Sequence, residues 1–474
     1  MALGLMHYGF STDELLQGTK FKAVLEDRMR VWDELLVRLT AKDGVGGAVI
    51  EGSPLNAHMA GSKGVKYLVN RGPCFTHVDP LHGYMLGLDP QKHSIRTLGQ
   101  RAYSVNNLTI LLGLSEPGQE LVASFEDIIQ RARLDLVQGK RKDEFVAFVN
   151  NTASMSMTSA LNAFLMVRSN GSNVERVYKD WMPGGVTPFD VMADWLKVLA
   201  EASVFLPAYF RKKYLKKDFI EPVMGTDFSA AFVDALGTCD SAADRERQVR
   251  IMNRLLNNMT YHDPGNVSTY AGVVVGSSAV SPWYVYAAAA GGLWGRDHGG
   301  AAPFAGGQML QAVTDVGLDT DEEQLHRWWN RWLDQYDAAM AIGHRVLRSP
   351  DGDPRTLGLI DDLDREFPNN GHPLLRFAKI HYKVGVEEVL KRHPQIGFQE
   401  ANVDAYSWAT KVMVGLIDMV PEHVEAGFLV FLLSRIVGVM KEDFWNRLPK
   451  STVLRPSPIH WWELDADLIK LAKA

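Results

Sequence analysis

The chain has 474 residues, 46% of them apolar and 22% charged, which is enough length for more than one domain and a large buried core. Its formal net charge of −6 argues against nucleic acid as a partner, because phosphate binding needs concentrated Lys and Arg. Cys74 and Cys239 are the only cysteines, so neither a disulfide framework nor a CxxC site is available, and a reducing compartment fits.

Taken in order, the start MALGLMHYGFSTDELL has neither the basic, apolar design of a signal peptide nor an Arg-rich presequence, and a cytoplasmic location is expected. Residues 12–40 have helical spacing, 41–57 are glycine-rich loop, and 58–118 carry many Gly, Pro and His with little expected regular structure. From 119 onward helical patterns dominate, over 119–138, 143–167, 188–215, 227–237 and 242–258. Ala271–Gly295 contains no charged side chain. Pro282, three serines and several glycines make its hydropathy weak, so a buried helix is expected and not a membrane span. A helix over 321–341 is marked by a Thr320/Glu323 capping box and a stripe including Leu325, Trp328, Trp329 and Leu333. The stretch 424–441 is apolar nearly all round and reads as a central helix. Strand alternation is scarce, so the fold class expected is mainly α.

Four polar clusters interrupt these apolar surroundings: YHDPGNVS (261–268), RDHGG (296–300), IGHRVLRSPDGDPR (342–355) and ANVDAYSW (401–408). Two arginines join them, Arg435 inside FLVFLLSRIVG and Arg455 in VLRPSP. A guanidinium inside an apolar helix is costly unless an anion pairs with it. A lone arginine of this kind is more often a structural salt bridge. Several His and Arg with an Asp, all in glycine-rich loops, suit an anionic small molecule. HExxH, GxxxxGK[ST] and GxSxG are absent, so metal, nucleotide and serine-hydrolase chemistry have no motif to rest on.

With these residues in view the chain resembles citrate synthase, of the larger type found in mitochondria. HDPGNVS is similar to the family's HEGGNVS, GLWGRDHGGA to GLxGPLHGxAN, and NVDAYS to NVDxxS. IGHRVLRSPDGDPR resembles GxGHxVLRxxDPR with an insertion before the last arginine, and FLLSR and VLRP match the last family arginines at the same separation. The resemblance implies an all-helical, two-domain homodimer: a large domain of 1–298 plus 410–474, with 1–57 an atypical extension, and a small domain of 299–409. The active site would lie in the interdomain cleft. It further implies condensation of acetyl-CoA with oxaloacetate to citrate through an enol(ate) and citryl-CoA. No cofactor or metal is expected beyond the CoA thioester substrate, and no membrane partner.

By the same resemblance, Asp404 is the general base, His298 the donor to the enolate oxygen, and His344 the group that polarises oxaloacetate. His262, Arg355 and Arg435 bind its carboxylates, and Arg455 is contributed across the dimer interface. Arg348 and Arg211 match contacts to CoA phosphates. The departures gather on the acyl-CoA side: Ala302 stands for an asparagine, FQEA (398–401) for NPWP, SMSM (154–157) replaces an HPM, and Tyr270 and Met259 replace histidines. That asymmetry leaves open a 2-methylcitrate or other alkylcitrate synthase, a citryl-CoA lyase, and a non-catalytic subunit of the same fold.

Overall fold

A computed structural model describes residues 102–105, 119–179, 186–222, 227–260, 266–296, 298–336, 339–343, 353–394 and 400–447. Within them lie α1 (Gln119–Leu136), α2 (Gly139–Thr152), α3 (Met157–Arg168), α4 (Asn173–Lys179), α5 (Pro188–Phe210), α6 (Phe228–Leu236), α7 (Ala242–Thr260), α8 (Val267–Gly276), α9 (Pro282–Trp294), α10 (Ala301–Val316), α11 (Glu322–Tyr336), α12 (Pro354–Glu366), α13 (Pro373–Arg392), α14 (Val403–Met413) and α15 (Leu429–Arg447). Among the described residues the only extended pairings are two isolated bridges, Ser104 with Asp227 and Ile342 with Ala401. The mainly α expectation therefore stands. The readings over residues 1–101, including the 12–40 helix and Cys74, lie outside the described residues.

α5 is the hub. Thr187 and Asp190 cap it reciprocally, Pro188 opens it where no intrahelical partner for its missing N–H is needed, and Asp190 to Phe210 are all buried. α1, α6, α9 and α15 pack around it. Such a helix still carries charge, and each charge has a partner. Glu201 accepts two hydrogen bonds from Arg168, at 2.8 and 2.9 Å, with both side chains fully buried. Asp194 accepts from the Ser172 hydroxyl and from the Asn173 and Val174 amides, which seats the start of α4 against α5.

Several sequence boundaries move, each for a local reason. The expected helix 143–167 is two helices. Ser156 accepts from the Ser159 amide and starts α3 afresh. The uncharged stretch 271–295 is a hairpin of α8 and α9, not one helix. Ala279 adopts a left-handed φ of 65°, Ser281 caps Trp283, and Pro282 begins the second arm. α11 begins one residue later than its capping box predicted, since it is Asp321 that accepts from the Gln324 amide. Its Leu325, Trp328, Trp329 and Leu333 are buried as the stripe requires.

Pro421–Phe444 is the one stretch among the described residues long and apolar enough to cross a membrane, but 89% of it is buried inside the protein. It overlaps most of α15, which packs on α5, α7 and α8 as a core helix. Arg211 ends α5 in a single π turn, Arg211–Leu215. The remaining helices pack in the order α10 on α11 and α14, α11 on α13, and α12 and α13 on α14, with α12 also touching α7. Arg254 of α7 donates to Asp362 of α12 at 2.6 Å, a buried ion pair that joins the two sets of helices.

Removing one partner of a buried ion pair strands the other charge in a low-dielectric interior. Glu201→Leu is therefore expected to lower stability by about 3–5 kcal/mol. Arg168→Met combined with Glu201→Leu should recover most of that loss, both read by denaturant unfolding.

Candidate active site

α8 begins at Asn266, and its first turn organises one half of the site. Asn266 Oδ1 accepts from the Ser268 hydroxyl at 2.8 Å and from the Arg435 guanidinium at 3.0 Å. Arg435 also donates to Ser268 Oγ at 3.1 Å and to the Met259 carbonyl at 3.1 Å. Ser268 is 0% exposed and Arg435 3%. These three acceptors are neutral, and through them Arg435 reaches from α15 to the start of α8.

Ser268 also meets His298, whose Nε2 lies 3.4 Å from its hydroxyl. His298 sits in the turn between α9 and α10, held by its amide to Gly295 O and by its carbonyl to the Ala301 amide. The glycines beside it serve this turn. The Gly300 amide bonds back to Leu293 O and Gly295 O, and a Cβ on Gly300 would lie 2.1 Å from Trp294 O. These glycines let the backbone fold back on the end of α9.

The other half is built on Asp353 and the start of α14. Asp353 caps α12 by accepting from the Arg355 amide, and its two oxygens accept from Arg355 Nε at 3.0 Å and from a second guanidinium nitrogen at 2.7 Å. The same carboxylate accepts from the Val403 amide at 3.2 Å. Asn402 caps α14 by accepting from the Asp404 amide, while its Nδ2 donates to Gly343 O. Gly343 in turn donates to Glu400 O, and Asn402 N donates to Ala341 O. These bonds fasten the segment ending at Gly343 to the segment that presents Asp404.

Asp404 keeps partial exposure, yet surrounding protein desolvates its carboxyl and pushes it up to about 6. Arg355, Lys411 and Arg435 pull it back down, and Asp353 adds to the rise. Arg435 thus acts electrostatically on Asp404 while bonding Ser268, and Ser268 touches His298. The elements are also packed directly. A Cβ on Gly306 of α10 would lie 2.6 Å from the Trp408 ring of α14, so the helix after His298 rests tightly on the helix of Asp404. A cavity of ≈530 Å³ between α12 and α13 is lined by Asp353 and Tyr406 but not by His298, Asp404 or Arg435.

Of the residues singled out in the sequence, the structure gathers His298, Arg355, Asp404 and Arg435. His262, His344, Arg348 and Arg455 lie outside the described residues. Arg211, matched above to a CoA-phosphate contact, lies at the end of α5. Its guanidinium is buried and donates to the carbonyls of Asp218 at 2.6 Å and Leu236 at 2.9 Å, fixing the end of α5. Sequence reasoning missed Asp353, Ser268 and Lys411. An Asp directly before Pro-Arg is a helix-start signal that could have found Asp353. Among the described residues no group of three His, Cys, Asp or Glu side chains is placed to hold a metal ion.

Comparison with known proteins identifies the family and the fold. The family described as citrate synthase, C-terminal domain, matches residues 91–457. Citrate synthase 4, mitochondrial, of Arabidopsis thaliana is 28% identical over 283 residues, 59% of this chain and 56% of that protein. The probable mitochondrial citrate synthase of Glossina morsitans morsitans is 25% identical over 316 residues, 66% of this chain and 65% of the relative. The chain thus spans little more than half to two thirds of the relatives it matches. In fold it is similar to the ternary complex of Thermoplasma acidophilum citrate synthase with carboxymethyl coenzyme A and oxaloacetate, at TM-score 0.60 and 18% identity. That match covers 78% of this chain and 88% of the other. Citrate synthase from Thermotoga maritima gives a TM-score of 0.57, also at 18% identity, with the same coverage of 78% and 88%.

One expectation is overturned: the relatives from Arabidopsis thaliana, Glossina morsitans morsitans and Daucus carota are named mitochondrial, not cytoplasmic. The cytoplasmic reading rested on the composition of the first residues, which is no measure of where a folded enzyme works. With the family match running over most of its length, the chain belongs to the citrate synthase family.

Proposed function

We propose that the chain condenses an acyl-CoA thioester with oxaloacetate, acetyl-CoA being the first candidate, and works in mitochondria as its relatives' names indicate. The observation that carries this reading is the network His298–Ser268–Arg435, with Arg435 in electrostatic reach of Asp404. An α-proton of a thioester is weakly acidic. Its removal needs a carboxylate held in a desolvated site and a donor at the oxygen where charge develops.

Asp404 takes that proton and His298 donates to the enolate oxygen. The α-carbon then attacks the keto carbon of oxaloacetate, polarised by His344, forming the carbon–carbon bond. Water cleaves the resulting thioester and releases the CoA thiol. Arg435, Arg355 and His262 hold the substrate carboxylates. A guanidinium has five N–H donors, so Arg355 can keep Asp353 and still take a carboxylate. Arg348 and Arg211 meet CoA phosphates, Arg211 with the guanidinium N–H groups left over from the Asp218 and Leu236 carbonyls. The chain acts as a homodimer in which a second copy supplies its Arg455. Residues 1–298 with 410–474 form the large domain and 299–409 the small one, and closure between them excludes water.

A second reading keeps the oxo acid and changes the acyl group. Ala302 is buried in the first turn of α10, close in sequence to His298, where the family pattern has an amide. Propionyl-CoA or a longer acyl-CoA would exploit an apolar residue there.

Purified protein given oxaloacetate with acetyl-, propionyl- or longer acyl-CoA should release free thiol. No release with any thioester would end the synthase reading, and a strong preference for propionyl or longer chains would select the second. Asp404→Ala should lower kcat by about 10²–10⁴-fold, while oxaloacetate still raises the melting temperature by mass action. Because burial raises the Asp404 carboxyl to about 6, protonation removes the base as pH falls. Activity should therefore be half-lost near pH 6, seen in the pH profile of kcat/KM. Ser268→Ala removes a contact to a charged guanidinium worth about 1.5–3 kcal/mol. Turnover should drop about ten- to hundredfold, and a variant with unchanged turnover would show that Ser268 has no part in the site.

A further inference from the structure

α14 carries a second buried charge that the reaction scheme does not use. Lys411 is 2% exposed, and its ammonium donates to Ser407 Oγ at 2.6 Å and to Ser407 O at 3.1 Å. Ser407 is itself fully buried. The Phe431 ring of α15 lies 5.7 Å from the ammonium, and its stem runs past Gly427. Among the described residues no carboxylate is in ion-pair range of it. Stranding an ammonium in this way is costly, and an apolar side chain would fill the same space without that cost.

What distinguishes the position is its register. Residues 404, 407 and 411 fall at 3.6 residues per turn within about 60° of one helix face. Asp404, Ser407 and Lys411 therefore share one side of α14, their backbone spanning about 10 Å by helix rise, and the Lys411 ammonium reaches back one turn toward Asp404 to meet Ser407. Ser407 grips the ammonium from its own backbone and hydroxyl, so it cannot swing out to solvent. The anion nearest in kind is Asp404.

We propose that Lys411 is a positioning residue for the condensation: clamped by Ser407 on the Asp404 face of α14, its buried ammonium keeps the Asp404 carboxylate ionised between turnovers. The proposal rests on Asp404 being the base. The charges facing Asp404 are Arg355 and Asp353 from the start of α12, Arg435 from α15 and Lys411 from its own helix, with the Tyr382 phenol of α13 also sensing it. Two of the three cations have other work, since Arg355 is bound to Asp353 and Arg435 to Ser268 and Asn266. The mutual influence is visible from both ends. Burial drives Lys411 down to about 7 while Asp404 holds it up, and Lys411 lowers Asp404 against its own burial.

The sign follows directly. Loss of a nearby cation favours the protonated carboxyl, so Asp404 should hold its proton to higher pH. In Lys411→Met the acid limb of the kcat/KM profile should move up by about one unit, a tenfold change in proton affinity. That gives roughly a fivefold loss at pH 6 and little above pH 8. Lys411→Arg should restore the profile. Lys411→Gln should repeat the shift if the Met variant does not accumulate. Thermal stability of Lys411→Met should hold or rise, as expected when a buried ion gives way to an apolar side chain.

A readout separate from activity is the carboxyl titration of Asp404, followed by 13C NMR of aspartate-labelled protein and assigned by its loss in Asp404→Asn. An Asp404 carboxyl that titrates unchanged in Lys411→Met and Lys411→Gln overturns the proposal. A carboxyl that shifts while the activity profile stays fixed upholds the placement of the charge and overturns the assignment of Asp404 as base.

Discussion

Asp353 holds the geometry of one half of the site through a single carboxylate. It caps α12, grips Arg355 with both oxygens and accepts the Val403 amide. One group therefore fixes where α12 starts, where Arg355 points and where α14 enters. Asp404 follows Val403 directly, so its place depends on that bond and on the Asn402 cap. Loss of Asp353 would leave a buried guanidinium and an amide without their acceptor, a far larger disturbance than the loss of one hydrogen bond.

The opposite half repeats the strategy with neutral groups. Ser268 and Asn266 sit at the first turn of α8, where backbone donors are unsatisfied and the helix field favours negative charge. Arg435 reaches them from a helix that is otherwise core, and His298 reaches Ser268 from a turn that only glycine can make so tightly. The two halves meet where Gly306 admits the Trp408 ring, so α10 and α14 move together. Charge is thus concentrated in an apolar setting, which is why Asp404 holds its proton up to about pH 6 and Lys411 loses its own near 7.

Much of the helical pattern was legible, because α11 has strong apolar periodicity while α5 and α15 are long and largely apolar, and all three are buried as read. Breaks were less legible. The α8–α9 hairpin turns on a left-handed Ala279, a conformation that no composition rule assigns to alanine. Catalytic candidates were legible only as clusters. His298, Arg355, Asp404 and Arg435 stood out as polar residues in apolar or glycine-rich settings, whereas the residues that hold them did not. Ser268 and Asp353 act through contacts far apart in sequence, and Lys411 looks like any helix lysine until its burial is known. Arg211 illustrates the same limit: its sequence neighbours are basic and only half-buried, while its own side chain is buried and bonds the Leu236 carbonyl.

The account stands or falls on whether Asp404 removes a proton from the thioester. Exchange of the α-hydrogens of acetyl-CoA and propionyl-CoA with solvent deuterium, followed by NMR in the presence of an unreactive oxaloacetate analogue such as malate, measures that step alone. Exchange is predicted for at least one thioester with the intact protein, and its loss is predicted in Asp404→Asn. Exchange that persists undiminished in Asp404→Asn would contradict the account.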